Sequence, residues 1–247
     1  MSTHPIGCAA WHRQRNGDTM TTAIIGTGRL GGTLARLLVN GGERVILAAS
    51  SEAQAAALAQ ELGELASAGS VRRAITDADV VVLATYFPIA TDTLTSNADL
   101  LDGVVVIDPT SANQRDEVGK TVTDETGRPV GILPEGQSAG AVIAGLLPPG
   151  AHYVKAFGTL GVPSLASSAN RAPERAALLY ATDDEHAAAV AERLITAAGF
   201  DPVKAGGAAD AGRLELPRGD LHQYGSVFNG QVPSAAEARA ASAGTSR

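Results

Sequence analysis

The chain has 247 residues, a formal charge of −7 from 19 basic and 26 acidic side chains, and one cysteine, Cys8. A single cysteine excludes an intrachain disulfide framework and a multi-cysteine zinc site, and it fits a reducing compartment. Net negative charge makes a poor general binder of nucleic acid or anionic membrane, and no apolar run approaches the ~20 residues that cross a bilayer.

In chain order, residues 1–19 mix His, Pro, Gly and Arg without periodicity and read as a disordered extension. Arg13 and Arg15 follow the short apolar stretch there, the reverse of a secretory signal, so a cytoplasmic protein is expected. Beyond it, β-rich runs alternate with Ala/Leu-rich ones. Strands are predicted at 22–25, 44–48, 80–84, 104–107, 152–156, 177–181 and 202–204, with a brief one at 71–73. Helices are predicted at 30–40, 52–62, 136–146 and 184–198. The runs near Val80 and Val104 are apolar on consecutive residues, the pattern of strands covered on both faces. The alternation implies an α/β fold, a doubly wound and mostly parallel sheet, as one domain over 20–224. From Gly225 the chain turns to Ser, Ala, Gly and scattered charge, read as a flexible tail over 225–247 with a short helix near 234–241. No internal repeat or Pro-rich linker stands out.

Gly26-Thr-Gly-Arg-Leu-Gly31 is a G-x-G-x-x-G motif, a pattern that chance supplies cheaply in a chain with 28 glycines. Its context raises it: it follows the first strand, opens a helix, and a second strand closes the β-α-β unit. Gly26 permits the tight turn, Gly28 lets the backbone approach a pyrophosphate, and Gly31 lets helix and strand pack closely. Thr27, Arg29 and Leu30 complete the loop, whose N–H groups at the helix start would hold the pyrophosphate. The second strand ends in Ala48-Ala49-Ser50-Ser51, without the carboxylate that grips an NAD ribose. Ser50, Ser51 and the cation of Arg29 favour NADP; Glu52 swinging back would serve NAD instead.

The chain resembles the NADPH-dependent coenzyme F420 reductase-like family of dinucleotide-binding oxidoreductases. The likeness rests on Thr22-Ala-Ile-Ile-Gly-Thr-Gly-Arg-Leu-Gly31, on Val80-Val-Val-Leu-Ala84 with Tyr86-Phe87-Pro88, and on Val154-Lys-Ala-Phe157 with Thr159. It extends through Gly199-Phe-Asp-Pro-Val203 and Asp220-Leu-His-Gln-Tyr-Gly225. It implies a Rossmann domain with a small C-terminal lobe, and hydride exchange between NADP and a deazaflavin or another small redox carrier. It implies that Ala84, Thr85 and Tyr86 lie in the loop crossing the cofactor. Two departures stand out: no arginine follows the second strand, and Gly158 replaces the asparagine after Lys-Ala-Phe.

Hydride transfer needs chiefly two stacked rings, so an apolar slot is expected rather than a triad. Phe157 and Tyr224 are candidates for its substrate side, and Lys155 and His222 are candidate catalytic groups. The bland alternatives are core packing for the phenylalanine, a snorkelling strand-end lysine, and a solvated loop histidine. Arg171, Arg175, Arg213 and Arg218 could meet an anionic tail or be plain surface charge. No clustered metal ligands appear, so no metal is expected; the partner is a small-molecule redox substrate, and a homodimer is left open. Two further functions stay open: a non-catalytic NADP-binding redox sensor and, more remotely, a serine hydrolase. The second rests on Gly136-Gln-Ser-Ala-Gly140, which matches a nucleophile elbow at Ser138, with Asp201 and His222 downstream.

Overall fold

The computed structural model describes residues 20–244; the expected 1–19 extension lies outside the described residues. Eight strands form one sheet: β1 (Thr21–Ile25), β2 (Arg44–Ala48), β3 (Ala66–Ala68), β4 (Val80–Leu83), β5 (Val105–Asp108), β6 (His152–Lys155), β7 (Ala177–Ala181) and β8 (Asp201–Gly206). Their order is β3-β2-β1-β4-β5-β6-β7-β8. All neighbours are parallel except β6 and β7, which are antiparallel. The chain winds outward from β1 to β3 and then returns to place β4 on the other side of β1. This reversal is the topological switch point of a Rossmann-type sheet, where crevices open at the carboxyl ends of the strands.

Helices cover both faces, which explains the unbroken Val/Ile/Leu runs. Every residue of β4 is buried, as is every residue of β5. On one face Ile24, Val82 and Ile107 pack with α1 (Arg29–Asn40), α2 (Glu52–Leu62), α6 (Val162–Ser168) and α7 (Glu185–Ala197). On the other, Ile25, Leu83 and Val106 meet α3 (Val71–Asp77), α4 (Phe87–Ser96) and α5 (Ala139–Leu146).

Four expectations are corrected. Residues 71–73 are not a strand. Ser70 accepts from the Arg73 N–H at 3.3 Å and caps α3, while Ala74 and Ile75 turn to the core, so the third strand falls earlier, at Ala66–Ala68. A helix, α4, follows Tyr86 instead of a simple loop: Pro88 is tolerated in its first turn, and Phe87, Ala90 and Leu94 bury one face at helical spacing. The helix expected from Gly136 starts at Ala139, because Ser138 caps it. The presumed flexible tail is packed: α8 (Ala235–Ala243) buries Ala235 and Ala238 against β7 and β8, and Ser234 bridges to Ala176.

The connection from β5 to α5 is a small antiparallel meander, with bridges Arg115–Thr121, Thr123–Pro129 and Asn113–Gly131. It contains a repeat that composition hides: Asp116-Glu-Val-Gly-Lys120 and Asp124-Glu-Thr-Gly-Arg128. In each, the Asp Oδ1 accepts from backbone N–H groups two and four residues on, at 2.8–3.1 Å. Among the described residues no helix is long and apolar enough to cross a membrane.

Candidate functional site

The glycine turn sits where β1 ends beside β4. Gly26 has φ +104°, and a Cβ there would lie 2.4 Å from the Ala84 carbonyl oxygen and 2.9 Å from Thr85 Cγ2. Gly31 is tighter: a Cβ would lie 1.8 Å from the Gly26 carbonyl oxygen. Gly28 is the opposite case, with nothing within 4 Å of an added Cβ. It begins α1 without a side-chain cap, so no capping side chain satisfies the helix's first N–H groups. The turn thus presents unpaired donors and a positive helix end to an approaching anion.

Around it, Ser51 caps α2 by accepting from the Gln54 N–H at 3.3 Å, while Ser50 is exposed. Arg29 is exposed and has no ion-pair partner among the described residues, whereas Arg36 is held by Glu61 at 2.8 Å. Glu52 opens α2, one residue past the cap. Tyr86 is exposed, donates its hydroxyl to the Gly119 carbonyl at 3.2 Å, and lies under the Arg115 guanidinium, 4.7 Å from the ring centre. The β5–α5 meander is thereby fastened to the loop that follows β4.

At the ends of β5 and β6 lies a buried polar cluster. Lys155 Nζ donates to Asp108 Oδ2 at 2.9 Å, to the Thr110 carbonyl at 2.5 Å and to Glu215 Oε1 at 2.9 Å. Glu215 also accepts from the Ala139 and Gly140 N–H groups at 2.8 and 2.7 Å, neutralising the start of α5. The Tyr153 hydroxyl donates to Asp108 Oδ2 at 3.1 Å, and burial beside two carboxylates pushes its pKa well above the usual value. The ammonium's three protons therefore have three acceptors inside the protein, and its side chain is 2% exposed. This differs from the expected acceptor-facing lysine: the charge is drawn inward because two strand-end and loop carboxylates surround it.

After β6, Phe157 adopts φ +63° and is buried in the core beside Ala156 and Leu160, so its ring is core packing rather than a wall of an open slot. Gly158 is required where it stands, because a Cβ would lie 2.6 Å from the Pro109 carbonyl oxygen. An asparagine at this position has no room. His222 is buried rather than solvated. Its Nδ1 accepts from the Tyr224 N–H at 3.1 Å and its ring is hydrogen-bonded to the Gly158 backbone. Burial, and to a lesser extent the nearby Lys155 charge, lowers its pKa to about 4, so the imidazole is neutral at neutral pH. Tyr224 stays exposed, its ring centre 5.6 Å from that of His222. Arg213 pairs with Asp220 at 3.0 Å and lines, with Arg218 and Glu215, a cavity of about 360 Å³ at the start of α5.

Ser138 accepts from the Ala141 N–H at 3.0 Å and serves as a helix cap. It is preceded by a loop, not by the strand that a nucleophile elbow needs, and His222 is engaged elsewhere. A hydrolase site is not assembled.

Sequence reasoning passed over five polar groups here: Asp108, Glu215, Thr110, Asn113 and, as a site residue, Thr159. Asp108 and Glu215 are buried acids whose partner lies far along the chain, a signal that no local pattern carries. Besides the Thr22 hydroxyl within β1, the hydroxyls of Thr85, Thr110 and Thr159 and the amide oxygen of Asn113 are buried without a hydrogen-bond partner among the described residues. All four follow the carboxyl ends of β4, β5 or β6. Buried orphan groups are costly, so their concentration on one edge makes that edge the candidate place for a polar ligand. Open glycine backbone at one end and orphaned hydroxyls at the other fit a nicotinamide dinucleotide.

A family model described as NADP oxidoreductase, coenzyme F420-dependent, matches residues 21–112. The dinucleotide unit of this chain is similar to that family. It is a family of NAD(P)-dependent oxidoreductases, and the matched segment runs from β1 to just past β5, spanning the glycine turn, the switch point and Thr110. Among solved structures the chain is similar to a hypothetical protein from Sinorhizobium meliloti, with 28% identity and a TM-score of 0.68, covering 81% of this chain and 92% of that one. It is similar to a protein proposed to be an F420-dependent NADP reductase from Arthrobacter, with 20% identity and a TM-score of 0.65, covering 78% of this chain and 87% of that one. It is also similar to a 3-hydroxyisobutyrate dehydrogenase from Mycobacterium tuberculosis, with 20% identity and a TM-score of 0.52, covering 79% and 57%. The last two likenesses are of fold. No curated protein matches the sequence.

Proposed function

We propose that the chain is an NADP-linked oxidoreductase that exchanges a hydride between NADP and a deazaflavin of the coenzyme F420 type, or a similar small redox acceptor. The observation that carries this reading is the uncapped Gly26–Gly31 turn at the switch point, on the same sheet edge as the four orphaned polar groups. When bound, NADP gives or takes the hydride at its nicotinamide ring. The chain's part is to bind and orient. The N–H groups of the turn hold the pyrophosphate, and Arg29 and Ser50 receive the 2′-phosphate, with no carboxylate between Ala48 and Ser51 to repel it. The Tyr86 loop and its meander cover the crevice. Lys155 and His222 act as positioning groups: one bonds the Thr110 carbonyl, the other the Gly158 backbone. The proton taken up when NADPH reduces the acceptor comes from solvent, because His222 is neutral and the Lys155 protons are engaged.

NADPH and NADH binding, and oxidation of each with a panel of deazaflavin, flavin and carbonyl acceptors, test the reading. NADPH is expected to bind more tightly than NADH and to turn over with a deazaflavin. Ser50→Asp is expected to weaken NADPH by about 1–3 kcal/mol and spare NADH. Equal affinity for the two would defeat the NADP assignment, and tight binding without turnover on any acceptor would favour a cofactor-sensing module.

A further inference from the structure

Thr110 and Thr159 stand out among the orphaned groups because their backbones are held by hydrogen bonds while their hydroxyls are not. The Thr110 N–H donates to Asp108 Oδ1 at 2.8 Å, and its carbonyl accepts from Lys155 Nζ. The Thr159 carbonyl accepts from the Gln223 N–H at 2.8 Å. Both residues are buried, with 4% and 1% exposure, and neither hydroxyl has a partner among the described residues. The residues just before them, Pro109 and Gly158, are packed against each other, so that a Cβ added at Gly158 would meet the Pro109 carbonyl at 2.6 Å. Backbone that is held from β5, β6 and the His222 loop, with two side-chain donors left over, has the form of a preorganised binding site.

We propose that the Thr110 and Thr159 hydroxyls anchor the carboxamide of the nicotinamide ring. The inference rests on the dinucleotide reading above and adds residues to it. A pyrophosphate on the Gly26–Gly31 turn lies at the end of β1. At the ~4.8 Å spacing of strands, β5 and β6 lie about 10 and 14 Å along the sheet, the reach of a nicotinamide riboside. A carboxamide offers one acceptor and one donor, and a hydroxyl can be either, so two hydroxyls complement an amide. Fixing the carboxamide sets which ring face looks toward the acceptor, which gives Lys155 and Gln223 their purpose in holding the Thr110 and Thr159 backbones.

Thr110→Val and Thr159→Val test this, because valine matches threonine in shape and deletes only the unpaired hydroxyl. The readouts are the melting temperature of the ligand-free protein and the affinities for NADPH and for 2′-phospho-ADP-ribose, which lacks the nicotinamide. The valine variants are expected to melt at or above the wild-type temperature, to bind NADPH about ten-fold more weakly, and to bind the fragment as the wild type does. Thr159→Ser is expected to keep wild-type NADPH affinity. Unchanged NADPH affinity in both valine variants, or an equal loss for NADPH and fragment, overturns the assignment. A lower melting temperature with unchanged binding also overturns it, since the hydroxyls would then serve the fold. If the wild type binds neither ligand, the dinucleotide reading itself fails; if it binds both and the variants do too, only the anchor fails.

Discussion

Gly28 and Gly31 stand three residues apart and serve opposite ends. At Gly28 the space around an added Cβ is empty, so Gly28→Val is expected to leave ligand-free stability within about 1 kcal/mol and to abolish NADPH binding. At Gly31 an added Cβ overlaps the Gly26 carbonyl, so Gly31→Ala is expected to lower the melting temperature before any ligand is present. Comparing apo melting with NADPH titration separates the two, and similar behaviour in both assays would undo the distinction. His222 supplies a pH prediction. Its folded pKa of about 4 lies below the unfolded value near 6.5, so the unfolded chain binds the proton first. The associated stability is complete above about pH 6.5 and is lost as pH falls toward 4, by about 3 kcal/mol at most. His222→Asn should flatten this part of the pH profile of the melting temperature; a variant as acid-sensitive as the wild type between those limits would show that other groups dominate. The glycines were legible in the sequence because backbone geometry dictates their type within a few residues. Asp108 and Glu215 were not, since an acid on a strand end or a loop declares its partner only when residues 107 positions apart meet at Lys155.

Elements were read best where periodicity and caps agreed. β2 and α2 fall at the expected residues because an apolar run ends in Ser51, which then caps an Ala-rich helix. α4 was hidden by its four threonines and serines and by Pro88, features that look like a loop until Phe87, Ala90 and Leu94 are seen on one face. α8 was half seen: its composition suggested helix, but nothing in the sequence said that it would cover β7 and β8. The Ser234 and Glu237 capping box fixes its start, with the Ser234 N–H donating to Glu237 Oε2 at 2.8 Å. Ser234→Ala is expected to cost about 1 kcal/mol. Ending the chain before Ser234 is expected to cost several times more, because it uncovers Leu179, Val203 and Phe228 as well as removing the helix. Chemical denaturation of the two variants checks the ratio, and a truncated chain as stable as the capped one would return this segment to the status of a tail.

At the scale of the molecule, the Lys155 cluster is the point where the dinucleotide unit and the C-terminal segment become one cooperative body. Asp108 comes from β5, Lys155 and Tyr153 from β6, the Ala139 and Gly140 amides from α5, and Glu215 from the segment that leads to His222. A buried pair of this kind gives weak net stability relative to apolar packing, yet breaking it is costly, because the remaining charges lose their partner without regaining water. Lys155→Met leaves two buried carboxylates uncompensated and is expected to destabilise the protein by about 3–5 kcal/mol. The loss should be local in character. The Ala139 and Gly140 amides held by Glu215, and the Gln223 amide held by Thr159, should exchange hydrogen much faster in the variant. Amides of β1 and β2, which lie beyond the switch point and touch none of the cluster, should change less. Removing the carboxylates as well, with Asp108→Asn and Glu215→Gln in the Lys155→Met background, should recover part of the stability, because the buried charge goes with its partner. Exchange that accelerates equally in β1 and around Glu215 would mean that the cluster stabilises the whole sheet evenly. A Lys155→Met protein as stable as the wild type would mean that the carboxylates find other partners, and the coupling would have to be sought in the packing of Tyr153 and Leu214 instead.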